Sequence, residues 1–123
     1  MAQHFSFTEF MLEGGWGMWP ILLFGVVALV SAVRYGATPG RASLRFVAIL
    51  WLTLLATVAH ATVTDLAAVF AHFEAAMARP EASMVGVLFT GLKESTRPAA
   101  LGGIFLTLVP LLAAVGVYRD TAR

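Results

Sequence analysis

The chain has no cysteine among its 123 residues and few charged residues, which make up 12% of the sequence. Without cysteine it forms no disulfide and has no thiolate to act as nucleophile or metal ligand. A soluble domain of this length carries about twice this proportion of charge. The net charge is only +1, which gives no electrostatic basis for binding nucleic acid. These absences argue against a soluble domain and against a nucleic-acid-binding protein.

Motifs of catalysis and cofactor binding are also missing. The three histidines, His4, His60 and His72, lack the spacing of metal ligands. No Ser–His–acid set is recognisable, and the neighbouring glycines are simple pairs rather than a phosphate-binding loop. We therefore expect neither enzymatic activity nor a bound cofactor or metal ion.

What the chain does have is three long segments without charge, at residues 14–33, 46–64 and 99–118, and a hydrophobic content of 59%. Each segment is about as long as the ~20 residues that an α-helix needs to cross the hydrocarbon core of a bilayer. The sequence therefore predicts an all-α integral membrane protein with three transmembrane helices, for which membrane lipid is the main solvent.

Apolar side chains recur at helical spacing on both sides of Pro80. This pattern predicts that the second span continues beyond the membrane to about Arg79, and that a return helix runs into the third span with a kink at Pro98. Phe5, Phe7 and the apolar residues after them indicate a short N-terminal helix in the membrane interface. The parts of this single membrane domain, 1–123, are an N-terminal interfacial helix (1–15), a first span (16–35), a loop (36–45), a second span (46–64), a helical hairpin (65–98), a third span (99–118) and a tail (119–123).

Basic residues set the expected orientation. Arg34, Arg41 and Arg45 flank the first loop, whereas the N-terminal segment has Glu9 and Glu13 but no Lys or Arg. Because positively charged loops remain in the cytoplasm, we expect the first loop and the C-terminus to be cytoplasmic. The N-terminus and the hairpin are then outside.

A polar stripe follows one face of the second span. Thr53, Thr57, His60 and Thr64 are spaced four, three and four residues apart, which places them on the same side of a helix. One interpretation is helix packing, since threonine bonds to its own backbone and allows helices to approach closely. The other is a water-lined path in which His60 titrates near neutral pH. The stripe alone favours packing.

The third span carries a small-residue stripe with the same spacing. Thr96, Ala100, Gly103 and Thr107 are again four, three and four residues apart, and Ala99 forms a small-xxx-small pair with Gly103. Small residues at this spacing predict close helix–helix contact.

Lys93, Glu94 and Arg97 form a charged cluster where the return helix meets the membrane. Glu94 and Arg97 are three residues apart, so they could form an ion pair on the helix surface. The cluster is either a solvated group of interfacial charges or a site at which Glu94 points inward and forms a charged ring in an oligomer.

Three segments together resemble one known family. Segment 10–21, FMLEGGWGMWPI, which continues to Arg34, is similar to the first span of the MotA/TolQ/ExbB proton-channel family, with its aromatic residue, Gly-Gly pair and Met-x-Pro. Segment 91–95, GLKES, followed by Gly102, resembles the family's Gly-Ile-x-Glu-Ala run and its later glycine. Segment 55–58, LATV, lies where the family has Gly-Thr-Val.

The resemblance, closest to the TolQ/ExbB branch, implies a pentamer around two copies of a single-span partner of the TolR or ExbD type, which converts proton flow into rotation. Thr57 would match the pore-facing threonine of the second span, and Glu94 the glutamate of the third. The chain departs from the family in four respects. Loop 36–45 replaces a large cytoplasmic insert, Ala99 replaces the third-span threonine, His60 replaces a glycine, and the hairpin outside the membrane is longer than usual.

Two functions are therefore expected as alternatives. The first is a homo-oligomeric proton channel of the bacterial inner membrane, driven by the proton motive force, with His60 and Glu94 as titratable groups near the polar stripe. The second is a non-conducting membrane scaffold or accessory subunit whose hairpin docks a partner. A small pore-forming protein of the holin type also fits the size and the number of spans.

Overall fold

The computed structural model describes residues 6–81 and 83–123, and all its regular secondary structure is helical within those ranges. The helices in chain order are α1 (Phe7–Glu13), α2 (Met18–Ala37), α3 (Arg41–Met77), α4 (Met84–Ser95) and α5 (Arg97–Thr121). Three helical stretches are long and apolar enough to cross a membrane: α2, α3, and α4 together with α5. The predicted all-α fold with three such helices is confirmed.

The N-terminal helix α1 is short and has its own cap. The hydroxyl of Ser6 accepts a hydrogen bond from the backbone N–H of Glu9 at 3.4 Å, which satisfies one of the free donors of the first turn. The helix ends at Glu13 with Gly14 as its C-cap, and Gly15 then takes a φ of +79°, which glycine adopts at little cost. This turn leads directly into α2. The part of the predicted N-terminal helix that involves Phe5 lies outside the described residues.

Helix α3 is too long to lie wholly inside a bilayer. Its 37 residues span about 55 Å at 1.5 Å per residue, whereas the hydrocarbon core is ~30 Å thick. After the turn at Pro80, Ser83 caps α4 by accepting a hydrogen bond from the N–H of Gly86 at 3.3 Å. Helix α4 packs back against α3, so the structure contains the predicted hairpin.

The break between α4 and α5 falls beside Pro98, as the sequence predicts. Thr96 separates the two helices, and Pro98 lies in the first turn of α5, where its missing N–H costs little. Backbone hydrogen bonds from Thr96 to Leu92 and from Ala100 to Thr96 continue across the break at 3.2 and 3.0 Å. The two helices therefore form a nearly continuous return arm.

Two apolar clusters hold α2, α3 and α5 together. The first consists of Met11, Met18, Ile21, Leu54, Val58, Ala61, Leu101 and Phe105. The second consists of Ala28, Ala32, Tyr35, Val47 and Val109. Glycines allow the helices to approach: the face of Gly102 contacts Val58, and that of Gly25 contacts the Phe105 ring. A side chain at either glycine would collide with its neighbour.

One side-chain hydrogen bond joins α3 to α5. Pro110 lies inside α5 and has no N–H, so it leaves the carbonyl of Leu106 without its usual intrahelical donor. The indole Nε1 of Trp51 on α3 donates to that carbonyl at 2.9 Å. In lipid a free carbonyl has no water to bind, so the Trp51 indole replaces the hydrogen-bond donor that the proline lacks.

Candidate functional site

The polar stripe of α3 lies on the outer surface of the protomer. Thr53, His60 and Thr64 are exposed, and Thr57 is half-buried. The hydroxyls of Thr53, Thr57 and Thr64 each donate to the carbonyl four residues earlier, at 2.9, 2.7 and 2.8 Å. The threonines are therefore satisfied by their own helix and do not contact α2 or α5 through these groups.

His60 is the unsatisfied member of the stripe. Its exposed imidazole makes no hydrogen bond or ion pair with any residue that the structure describes. A polar ring of this kind is costly in hydrocarbon and normally faces protein or water. Within a membrane, His60 therefore requires cover that a single protomer does not provide.

The small-residue stripe of α5 also faces outward. Thr96, Ala99, Ala100 and Thr107 are exposed, and a Cβ added at Gly103 would meet no atom within 4 Å. The hydroxyl of Thr107 donates to the carbonyl of Gly103 at 2.7 Å. Close contacts inside the protomer are made by the opposite side of α5, through Gly102 and its neighbours. The packing role of the small-residue stripe stays a prediction, and it concerns contacts with other chains.

Glu94 lies in a separate place, a crevice between α3, α4 and the turn that follows α1. The crevice has a volume of ≈ 770 Å³. Its lining residues are Glu13, Gly14, Gly15, Asp65, Ala68, Val69, His72, Ser83, Gly86, Val87, Thr90, Gly91, Glu94 and Ser95. No member of the polar stripe lines it. The structure therefore does not bring Glu94 and His60 into one site within a protomer.

Asp65 gives the crevice its electrostatic character. This residue follows directly after the uncharged segment 46–64, at the start of the predicted hairpin (65–98). Burial of the side chain and, secondly, the nearby carboxylate of Glu94 raise the pKa of Asp65 above its usual range. The sequence alone does not indicate this pair, because the approach of α4 that places Glu94 beside Asp65 is a tertiary contact.

Arg97 pairs with a different partner from the one that the sequence suggested. Its guanidinium forms an ion pair with Glu13 and lies 5.2 Å from the centre of the Phe10 ring, a cation–π distance. The suggestion of a surface ion pair between Glu94 and Arg97 is therefore wrong, because Arg97 turns toward α1 while Glu94 faces the crevice. A pair separated by so many residues leaves no periodic signal in the sequence.

Metal chemistry has no support in the described part of the chain. Among residues 6–81 and 83–123, no group of three or more histidine, aspartate or glutamate side chains could hold a metal ion. The chain matches no protein-family model, and comparisons with curated proteins and with solved structures give no significant match.

Proposed function

We propose that the chain is the repeating subunit of a homo-oligomeric membrane channel that conducts protons. One observation carries the proposal: the polar stripe of α3 is exposed on the protomer, and the imidazole of His60 has no partner there. Hydrocarbon offers such groups no hydrogen bonds, so the stripe must face other protein chains, water or both. Association of several copies supplies these surroundings.

Within the oligomer, the stripe lines or approaches a path for water, and His60 is the group that binds and releases protons along it. Histidine suits this role because its charge changes between pH 5 and 8. Glu94 lies beside Asp65 in the crevice, beyond the outer end of the uncharged segment. We assign Glu94 to the outer entrance of the path rather than to its middle.

The sequence resemblance supports the remaining parts of the proposal. The oligomer is a pentamer of the MotA/TolQ/ExbB type, closest to the TolQ/ExbB branch, and it couples the proton motive force to a single-span partner of the TolR or ExbD type. The subunit lies in the bacterial inner membrane. The positive charge of Arg34, Arg41 and Arg45 supports a cytoplasmic first loop, with the N-terminus and the crevice on the outer side.

Proton flux into liposomes tests this function. The purified protein is reconstituted with a pH-sensitive dye inside the vesicles, and a potassium diffusion potential drives the flux. We expect His60→Ala and Glu94→Gln to reduce the flux by at least about tenfold, the size of an effect worth ~1.4 kcal/mol at the barrier. Glu81→Gln is the matched control for the glutamate variant, since this exposed carboxyl lies at the turn of the hairpin and lines neither the crevice nor the stripe. Wild-type flux in both variants would rule out the assigned path.

A non-conducting scaffold is the second candidate, and one observation favours it. The three threonine hydroxyls of the stripe already bond to their own helix, so they need no water and could serve for packing alone. In that case the oligomer forms but the vesicles show no protein-dependent flux. Counting the subunits of the same preparation distinguishes a silent oligomer from a protein that has failed to assemble.

A further inference from the structure

We infer that neighbouring copies of the chain contact each other through two different faces, in a register that the protomer itself determines. One face follows the polar stripe on α3, and the other follows the small-residue stripe on α4 and α5. The inference rests on the proposed homo-oligomer and names the surfaces that build it.

The first face extends the polar stripe beyond the membrane. At the same helical spacing, Ala68, Ala71 and Ala75 follow Thr64 on α3, and all three are exposed. We call this surface the alanine face. It is small and flat over the outer half of α3, because alanine adds only a methyl group to the helix. Such a surface leaves room for large side chains from another chain.

The second face extends the small-residue stripe in the same direction. Leu92, Phe89 and Val85 continue the spacing of Thr96 upward along α4. Their side chains are 37%, 67% and 67% exposed, respectively. We call this surface the phenylalanine face. Because it lies outside the hydrocarbon core, water would contact these large apolar groups in a single protomer, and burying them against another chain is favourable.

Contacts inside the protomer show which residues lie at equal height. On the hairpin, Gly91 of α4 contacts Val69 of α3. In the membrane, Gly102 of α5 contacts Val58 of α3. Val69 and Val58 are eleven residues apart on α3, and Gly91 and Gly102 are also eleven residues apart on the return arm. Moving one residue along α3 therefore matches moving one residue along the return arm in the opposite chain direction.

The same register gives each residue of one face a counterpart at equal height on the other face. Ala71 lies at the height of Phe89, and Ala68 at that of Leu92, so large apolar groups match small ones outside the membrane. Inside the membrane, by the same register, the threonine at position 57 is level with Gly103, and His60 is level with Ala100. The small residues opposite the polar ones leave space for water beside the imidazole.

The two faces point to different sides of the protomer. Each is about 130° from the residues that join α3 to α4 and α5, at ~100° per residue. On α3, the α5-facing Val58 is followed around the helix by Ala61, which contacts Gly17 beside α2, and then by the stripe. The face on α5 lies on the side away from α2. Contact between unlike faces builds a ring or a chain of copies rather than a two-fold dimer.

A second copy is therefore the occupant that fits both faces. Copies related by rotation about the membrane normal lie at the same depth, so heights matched within one protomer are also matched between neighbours. The alanine face of one copy then receives the phenylalanine face of the next. The same contact covers His60, which a single protomer leaves without a partner.

Disulfide cross-linking tests this contact directly, since the chain has no native cysteine. Two forms with different tags, one with Ala71→Cys and one with Phe89→Cys, are co-expressed and oxidised in the membrane. We expect a dimer that contains both tags, several-fold more abundant than dimers of either form alone. The pair Thr57→Cys and Gly103→Cys tests the same interface about 20 Å lower on α3.

The matched control is Phe70→Cys with Thr90→Cys. These two positions are also exposed and level with each other, but they lie outside both faces. Equal cross-linking of the control pair, or an intact oligomer without the Ala71–Phe89 cross-link, would overturn the inference and leave the proposed function standing. A protein that purifies as a monomer would instead reject both.

Discussion

The hydrogen bond from Trp51 to Leu106 offers the sharpest test of how α3 and α5 are held together. Replacing Trp51 with phenylalanine keeps an aromatic ring at the interface but removes the Nε1 donor. The carbonyl of Leu106 then has no partner, because Pro110 supplies no N–H. We expect Trp51→Phe to lower the free energy of unfolding.

The size of this loss lies between two limits. Leaving a buried acceptor without a donor costs ~1–3 kcal/mol in soluble proteins, whereas hydrogen bonds between membrane helices average about 0.6 kcal/mol because the separated helices find other partners. Here the proline frees the same carbonyl in the separated helix, where lipid offers no substitute. We therefore expect a loss of about 1–2 kcal/mol.

The assay is unfolding by SDS titration in mixed micelles, followed by far-ultraviolet circular dichroism. Trp19→Phe is the control, since the Trp19 ring is 53% exposed and makes no such bond. Pro110→Ala restores an N–H to the carbonyl of Leu106, so Trp51→Phe should cost less in that background. An equal cost with and without Pro110 would refute this explanation, as would the absence of any cost.

Two further perturbations follow from packing and charge. Gly102→Ala should destabilise the protein by about 1–3 kcal/mol, since its new methyl group would collide with α3. The neighbouring Gly103→Ala should leave protomer stability unchanged in the same detergent assay. Equal effects of the two substitutions would contradict the outward orientation of Gly103. The pKa of Asp65 is raised in the folded state, so ionisation destabilises the fold and stability should fall as the pH rises above about 4. Asp65→Asn should reduce this loss of stability, measured by thermal unfolding between pH 4 and 7. The control Glu81→Gln, at the exposed turn, should not change it. Parallel curves of stability against pH for the wild type and Asp65→Asn would show that the Asp65 carboxyl makes no contribution.

Much of the fold could be predicted because it depends on local signals. The lengths of the uncharged segments indicate three membrane-crossing helices, and Pro80 and Pro98 mark the turn and the break that the structure contains. The inner faces of the helices were harder to predict. Gly102 rather than Gly103 faces α3, and spacing alone cannot distinguish two adjacent glycines, because either one completes a small-residue pattern.

The site was less predictable than the fold for a physical reason. The polar stripe is visible in the sequence as a periodic pattern, but periodicity does not reveal whether a stripe faces its own protomer or another. The crevice residues Asp65 and Glu94 come together through the hairpin, and the partner of Arg97 is Glu13 at the other end of the chain. Contacts between distant segments have no local pattern from which to infer them.

The ion pair between Arg97 and Glu13 has a practical consequence for handling the protein. It links the N-terminal helix to the junction of the return arm, where the guanidinium also lies against Phe10. A bulky fusion that pulls this first helix aside would leave a largely covered cation without its counter-charge at that junction. The residues after Thr121 are exposed, so affinity tags and fluorescent reporters belong at the carboxyl end.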